Sequence, residues 1–242
     1  MRFERTKMLL GADGLERLSQ SHVAVFGIGG VGSYTAEALA RSAVGKITLI
    51  DSDKLSITNI NRQIHALTDT VGRNKAEVMA ERIHQINPDA KIQVISEFFS
   101  AENADIFPFS EFSYIADCID TVTSKIELIS RANQMRIPII SSMGAGNKLH
   151  PELFEITDLY NTSVCPLARV LRRELKVRGI RKLTVVYSKE QPITPKFQPA
   201  AEQESIQKRI TPGSVAFVPS AVGLIMAGEI IRRLSGQPKE EI

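Results

Sequence analysis

The stretch HVAVFGIGGVGSYTAEALARSAVGKITLID, residues 22–51, carries the pattern that decides the fold. An apolar run at 22–27 predicts a buried strand, and a glycine-rich turn follows it directly. The segment 32–44 has apolar residues near helical spacing, and a second apolar run follows at 46–51. Strand, helix and strand in this order predict two parallel strands joined by a helical crossover.

The same alternation continues on the C-terminal side of this stretch. The sequence predicts further strands at 91–96, 113–120, 137–142 and 183–188, with helices at 74–87 and 123–135. Beyond residue 145 the pattern loosens into a loop and strand within 146–162, a helix within 168–180 that Gly179 ends, and a helix near 219–234. Four prolines within 188–213 predict a mobile connection or lid.

These elements predict an α/β protein with a Rossmann-like, doubly wound and mostly parallel sheet, flanking helices and a C-terminal extension. We expect one domain over residues 1–242. Its nucleotide-binding core would span about 20–145, and an extension for substrate and dimer contacts would span about 146–242.

Composition narrows the class of protein. The chain has 242 residues, 43% of them hydrophobic, and a net charge of +3, which does not by itself indicate a polyanionic partner. Two cysteines cannot form a disulfide framework or a four-thiolate zinc site, so we expect a reducing cytoplasm. Pro219 and Glu229 interrupt the apolar stretch near the C-terminus, and the N-terminus lacks a signal-peptide core, so we expect no membrane span.

The glycine-rich turn has the context of a nucleotide-binding loop, because it follows a strand and opens a helix. Its glycines allow the backbone to approach a phosphate, and the helix N-terminus offers unpaired N–H donors. The carboxylate of Asp51 ends the second strand, where it can accept hydrogen bonds from ribose hydroxyls. NAD, ATP and a tight turn without ligand remain open at this point. The turn glycines are Gly27, Gly29, Gly30 and Gly32.

A polar cluster after the second strand favours ATP. Asparagine, arginine and glutamine side chains in the stretch TNINRQIH, residues 58–65, would emerge at the carboxyl end of that strand, and a lysine opens the next helix. Guanidinium and ammonium groups that converge on one crevice suit a triphosphate. Asp120, at a later strand end, is a candidate Mg²⁺ ligand. The alternative is a surface ion-pair network. The candidate ATP-binding residues of this cluster are Asn59, Asn61, Arg62, Gln63 and Lys75.

Several segments in the same order resemble the ATP-dependent activating enzymes related to ubiquitin-activating enzymes and to the adenylyltransferases of molybdopterin synthase and the thiamine carrier. The segments are GIGGVG, LIDSD, TNINRQ, VGRNKAE and DCID, with RFERT near the start. The resemblance implies a single adenylating domain that binds ATP and Mg²⁺.

The family resemblance also implies roles for individual residues. Gly30 would lie near the phosphates and Asp51 on the ribose, while Asn59 and Arg62 would bind phosphate oxygens. Lys75 would contact the reacting phosphate, and Asp120 would hold Mg²⁺. Arg5 would reach the site of a partner subunit, which implies a homodimer.

Within this family, the sequence is most similar to the branch that dehydrates threonylcarbamoyladenosine in tRNA. The segments NINRQIHAL, SSMGAGNK, EITDLYNTSVCPLARVLRREL and FVPSAVGLIMAGEII carry that similarity. It implies ATP-dependent activation of a free carboxylate, ring closure and release of AMP. The alternative is adenylation of the C-terminal glycine of a ubiquitin-like sulfur carrier, whose enzymes often carry two CxxC pairs that this chain lacks. A sulfur-relay protein is a further candidate partner.

A basic run within 169–182 is the independent indication of RNA binding, because several phosphate contacts would give salt-dependent affinity. The alternative for this run is a solvated helix face without an RNA partner. For the whole protein, the non-catalytic alternative is a scaffold that binds RNA and retains nucleotide, and an NAD oxidoreductase is the least favoured function. The RNA-binding candidates are Arg169, Arg172, Arg173 and Lys176.

Two cysteines and one histidine lie close to these motifs, and we expect structural roles for all three. Cys165 reads as a loop cysteine more than a nucleophile, and Cys118 as a small core residue. His65 reads as a structural histidine with satisfied ring nitrogens.

Overall fold

The fold is a seven-stranded sheet with helices on both faces, as the sequence predicts. The structure, a computed structural model, describes residues 2–197 and 212–237. The strands lie in the order β3-β2-β1-β4-β5-β7-β6, and every neighbouring pair is parallel except β6 and β7. The strands are β1 (His22–Phe26), β2 (Lys46–Ile50), β3 (Lys91–Ile95), β4 (Tyr114–Asp117), β5 (Ile139–Ser142), β6 (Phe154–Asp158) and β7 (Thr184–Ser188).

The α-helices of the described residues connect and cover these strands. They are α1 (Glu4–Gln20), α2 (Gly32–Arg41), α3 (Lys75–Ile86), α4 (Val122–Gln134), α5 (Pro166–Val177) and α6 (Phe217–Ser235). Helix α2 packs against both α3 and α6, α1 packs on α6, and α4 packs on α5. None of the helices in residues 2–197 and 212–237 is both long and apolar enough to cross a membrane.

Strand β1 shows why the sheet is covered on both faces. Val23 and Val25 join the apolar cluster that contains α2, α3 and α6, whereas Ala24 and Phe26 join the cluster that contains α4 and four further phenylalanines. All four residues are fully buried. Successive side chains of a strand point to opposite faces, so a strand apolar at every position is stable only between two layers.

Three features differ from the predicted elements. The predicted strand over 113–120 ends at Asp117, so residues 118–121 leave the ladder and enter the crevice described below. Helix α1 was not predicted, and a kink at Gly11, with φ 76°, interrupts it. The segment predicted to be mobile, 188–213, is described only at 188–197 and 212–213, and residues 198–211 lie outside the described part of the chain.

Candidate functional site

A crevice of about 740 Å³ opens at the carboxyl ends of β1, β2, β4 and β5. The strand order reverses between β1 and β4, and open α/β sheets bind ligands at such a switch point. The volume is that of a small-molecule site. Nine of the residues predicted to hold nucleotide or Mg²⁺ line it: Gly27, Gly29, Gly30, Asp51, Asn59, Arg62, Gln63, Lys75 and Asp120. Two candidates do not line it: Gly32 is buried at the start of α2, and Asn61 lies behind Arg62.

The glycine turn needs glycine at two positions for steric reasons. Gly27 has φ 85°, and a Cβ atom there would lie 2.8 Å from the carbonyl oxygen of Cys118. A Cβ atom on Gly32 would lie 1.8 Å from the carbonyl oxygen of Gly27. Around Gly29, by contrast, no described atom lies within 4 Å of an added Cβ atom. The turn is therefore tight on its protein side and open on the side that faces the crevice.

Asp51 joins the end of β2 to the glycine turn. One carboxylate oxygen accepts a hydrogen bond from the Ile28 amide at 2.6 Å, and the other accepts one from the Asp53 amide at 2.9 Å. Burial raises the pKa of Asp51, and the nearby Lys75 ammonium opposes that shift. Each carboxylate oxygen has a second lone pair, so Asp51 can still accept hydrogen bonds from a ribose.

Lys75 lies at the start of α3 with its ammonium in the crevice. The Asn74 side chain caps this helix by accepting hydrogen bonds from the amides of Ala76 and Glu77. The ammonium lies 2.6 Å from a carboxylate oxygen of Asp53 and 4.0 Å from one of Asp51. Asp53 was not among the predicted site residues, although its position two residues after Asp51 places both carboxylates on the same side of an extended chain.

Arg62 is half-buried, and backbone and amide groups orient its guanidinium. The same nitrogen donates to the carbonyl oxygen of Thr58 and to the side-chain oxygen of Asn61, each at 3.0 Å. Burial lowers the pKa of Arg62. Among residues 2–197 and 212–237, Arg62 forms no ion pair with a carboxylate. Asp120 forms no ion pair with a cationic side chain there either. The ion-pair alternative therefore fits Lys75 but not these two residues.

Two buried amides complete this side of the crevice. The side-chain oxygen of Asn59 accepts a hydrogen bond from the Ser56 amide at 3.2 Å, which fixes the short turn that carries it. The Gln63 side-chain oxygen is buried and has no hydrogen-bond partner among the described residues. Because buried polar atoms are normally paired, Gln63 is suited to accept a hydrogen bond from a bound ligand or an ordered water.

Asp120 is exposed at the mouth of the crevice, three residues after β4 ends. Its carboxylate accepts a hydrogen bond from the Thr121 hydroxyl at 3.4 Å. No group of three or more metal-ligating side chains occurs in the described part of the chain. A single carboxylate beside a phosphate site nevertheless fits Mg²⁺, which takes one or two carboxylates and completes its shell with phosphate oxygens and waters.

A buried ion pair that the sequence analysis missed holds the end of β4. The Lys125 ammonium lies 2.8 Å from a carboxylate oxygen of Asp117, and both side chains have no solvent exposure. Lys125 also donates to the Ser141 hydroxyl and the Ser142 carbonyl oxygen. The other Asp117 oxygen accepts the Ile119 amide. This network fixes the backbone that presents Asp120. The sequence signal for this pair was Lys125 itself, a lysine on the otherwise apolar face of the helix segment TSKIELIS.

The remaining predicted residues lie outside the crevice. Arg5 is an exposed residue of α1 and does not line the crevice. In α5, Arg172 donates to the carbonyl oxygen and the hydroxyl of Thr162, and Arg173 pairs with Glu174. Arg169 and Lys176 are exposed and form no ion pair within residues 2–197 and 212–237.

The expectations for the cysteines and His65 need partial correction. Cys118 contributes to the crevice wall, and burial together with Asp117 raises its pKa to about 12. Cys165 lies in the loop before α5, as expected, but it is the N-cap of that helix and is buried within an apolar cluster. His65 is buried, but neither ring nitrogen has a partner among the described residues, so the expected satisfied histidine is wrong in that respect.

Comparisons with known proteins agree with this geometry. The chain is 43% identical over 238 residues, 96% of this chain and 94% of the relative, to a tRNA threonylcarbamoyladenosine dehydratase of Bacillus subtilis (strain 168). It is 47% identical over 175 residues, 72% of this chain and 65% of the relative, to the Escherichia coli (strain K12) protein of that name.

A solved structure matches the fold as well. The crystal structure of E. coli tRNA N6-threonylcarbamoyladenosine dehydratase, TcdA, in complex with ATP superposes with a TM-score of 0.88 at 37% identity, covering 98% of this chain and 94% of that one. The family model described as ThiF family matches residues 3–242. By fold, crevice and sequence, the chain belongs to the ThiF family.

Proposed function

We propose that this protein uses ATP to dehydrate threonylcarbamoyladenosine in tRNA. The observation that carries the proposal is the single crevice in which Arg62, Lys75 and Asp120 face the glycine turn. The names of the relatives at 43% and 47% identity supply the substrate, because the crevice itself indicates only nucleotide chemistry.

ATP occupies the crevice with its phosphates against the glycine turn and its ribose at Asp51. Helix α2 begins at Gly32, so its unpaired N–H groups favour negative charge at this position. Arg62 and Asn59 bind phosphate oxygens, and Lys75 neutralises charge at the reacting phosphate. Asp120 would hold Mg²⁺, which would supply further neutralisation of the triphosphate.

The reaction has two steps that balance in atoms. A carboxylate oxygen of the substrate attacks the α-phosphorus of ATP, and pyrophosphate leaves with the electrons of the broken P–O bond. A nitrogen of the carbamoyl group then attacks the activated carbonyl carbon, loses its proton, and expels AMP, which carries away the former carboxylate oxygen. The substrate loses the elements of water, and no protein nucleophile is required. The reaction transfers no sulfur, so a sulfur-relay partner would take no part in these two steps.

The protein groups stabilise charge and do not form covalent intermediates. A carboxylate is a poor electrophile until AMP becomes its leaving group. Negative charge then develops at the α-phosphate and on pyrophosphate, and Arg62 and Lys75 face that region. The crevice continues past β5 along residues 142–146 to Leu167 at the start of α5, which gives the modified adenosine a place beside the phosphates.

The tRNA contacts the exposed basic side chains of α5. Leu167 lines the crevice at the start of α5, so RNA that reaches the crevice comes close to this helix. Arg169 and Lys176 carry the proposed phosphate contacts. Arg172 contributes less, because its guanidinium already binds Thr162. The reaction takes place in the cytoplasm, where tRNA is modified.

A homodimer completes the arrangement, with Arg5 of each subunit at the crevice of its partner. Arg5 is exposed and does not reach the crevice of its own subunit. An Arg5→Ala variant should therefore bind ATP more weakly as a dimer. Mixing it with an Arg62→Ala variant should restore part of the activity, because a mixed dimer contains one intact site. Absence of any restoration would remove Arg5 from the proposed site.

Adenylation of a sulfur carrier is the competing function. The chain has only two cysteines and lacks the paired CxxC segments of many carrier-activating enzymes. The test is to incubate the protein with ATP, Mg²⁺ and either threonylcarbamoyladenosine-containing tRNA or a sulfur carrier with a C-terminal glycine. We expect pyrophosphate release and an 18-dalton mass loss in the tRNA nucleoside, and release with the carrier alone would overturn the proposal. Asp120→Asn should abolish release, whereas the exposed control Glu102→Gln should not.

A further inference from the structure

Residues 212–214, which we call the wall strip, form one side of the crevice although they lie far from the nucleotide motifs in sequence. Pro212 and Ser214 both line the crevice, together with the glycine turn and Arg62. Gly146 packs so closely on the strip that an added Cβ atom would lie 2.7 Å from the Pro212 Cβ atom. The wall strip is therefore in direct contact with Gly146, which also lines the crevice.

Two asparagine side chains hold the wall strip in place. On one side, the Asn147 side-chain oxygen accepts a hydrogen bond from the Gly213 backbone amide at 2.6 Å. The backbone amide of Asn147 donates to the Gly213 carbonyl oxygen at 2.8 Å. On the other side, the Asn61 side-chain nitrogen donates to the Ser214 carbonyl oxygen at 3.0 Å. The strip is thus fixed between the β5 loop and the polar cluster that follows β2.

Asn61 also contacts Arg62 through the other end of its amide. The Asn61 side-chain oxygen accepts from the Arg62 guanidinium at 3.0 Å, while its nitrogen is anchored on Ser214. An amide group is planar and rigid, so anchoring the nitrogen fixes the direction of the oxygen. Arg62 has no carboxylate partner among the described residues, and the Asn61 oxygen is one of only two acceptors for it there.

We propose that Asn61 is a positioning residue that aims Arg62 at the ATP phosphates and ties this guanidinium to the wall strip. Asn61 does not line the crevice, so it acts through Arg62. It acts by reducing the number of orientations that Arg62 samples before nucleotide binds, which lowers the ordering cost of binding. This inference rests on the proposed ATP site, but not on the identity of the acceptor substrate.

The test is a double-mutant cycle read by equilibrium ATP binding, which needs no tRNA. The variants are Asn61→Ala, Arg62→Ala and the double substitution, with Asn133→Ala as the matched control, because Asn133 is exposed in the last turn of α4. We expect Asn61→Ala to raise the Kd for ATP roughly fivefold to tenfold, the scale of the net contribution of one hydrogen bond. In the Arg62→Ala background, the same substitution should change Kd less than about twofold.

A second variant tests the anchor on the strip. Asn147 has φ 59°, so Asn147→Gly removes its side chain without backbone strain. It should raise Kd by about twofold to threefold in the wild-type background and have no effect with Asn61→Ala. Equal effects of Asn61→Ala in both Arg62 backgrounds would overturn the positioning role. If the cycle behaves as expected but no tRNA product forms, the inference stands and the proposed substrate fails.

Discussion

The ammonium of Lys75 lies 2.6 Å from a carboxylate oxygen of Asp53 and 4.0 Å from one of Asp51, at the point where β2 and α3 meet. Asp51 is nearly buried and bound by two backbone amides, whereas the Asp53 side chain is 67% exposed. Asp53 is therefore the carboxylate that an incoming phosphate can displace. Without nucleotide, this pair keeps the ammonium inside the crevice.

Replacing Lys75 by methionine should remove the charge that neutralises the reacting phosphate. We expect pyrophosphate exchange to fall at least about 100-fold, equivalent to about 2.7 kcal/mol of transition-state stabilisation. Lys54→Met, an exposed lysine on the same loop, is the matched control and should retain near wild-type exchange. Wild-type exchange in the Lys75 variant would show that this ammonium is only an ion-pair partner of Asp53.

The buried pair of Lys125 and Asp117 should matter for stability. Lys125→Met leaves the Asp117 carboxylate buried without its counter-ion, so we expect the free energy of unfolding in urea to fall by about 3–5 kcal/mol. Adding Asp117→Asn removes that charge and should recover part of the loss. If the double variant is less stable than Lys125→Met alone, the uncompensated charge is not the cause.

His65 should make stability depend on pH. Burial, with Lys75 and Arg82 nearby, lowers the pKa of His65 to about 4 from 6.5, so folding favours the neutral ring. The contribution of the neutral ring to the free energy of unfolding is complete above about pH 6.5 and is lost as the pH falls towards 4. The loss is at most about 1.4 kcal/mol for each unit by which the pKa is lowered. His22, whose pKa burial also lowers to about 4, adds to the same loss.

The measurement is urea unfolding at several pH values between 4 and 7. His65→Leu should flatten the decline relative to the wild-type protein, while His84→Leu, at an exposed position of α3, should leave the slope unchanged. An unchanged slope in the His65 variant would mean that its ring is hydrated or paired in solution.

The basic face of α5 should contribute to RNA affinity in a salt-dependent way. Arg169→Ala and Lys176→Ala should each weaken tRNA binding and reduce the slope of log K against log salt concentration by about 1, because each removes one phosphate contact. Lys91→Ala, on the strand at the opposite edge of the sheet, is the control. Equal slopes in all variants would place the tRNA on another surface.

Local chemistry explains which parts were predictable. The glycine turn and Asp51 were recognisable because steric limits and hydrogen-bonding groups act within a few residues of each other, and alternation of strand and helix follows from burial on two faces. Helix α1 was not predicted, because Gly11 interrupts it and its residues are mostly polar. It is stabilised by packing on α6, more than 200 residues away.

The sequence by itself determined the doubly wound sheet, the nucleotide turn and the identity of the charged groups that meet at one edge, since each depends on local periodicity and residue type. Only the tertiary structure decided that Asn61 reaches Ser214, that Asp53 holds Lys75, and that Lys125 is buried against Asp117. These partners are chosen by which surfaces pack together. No short-range pattern records that choice, because a hydrogen bond constrains geometry in space and not separation along the chain.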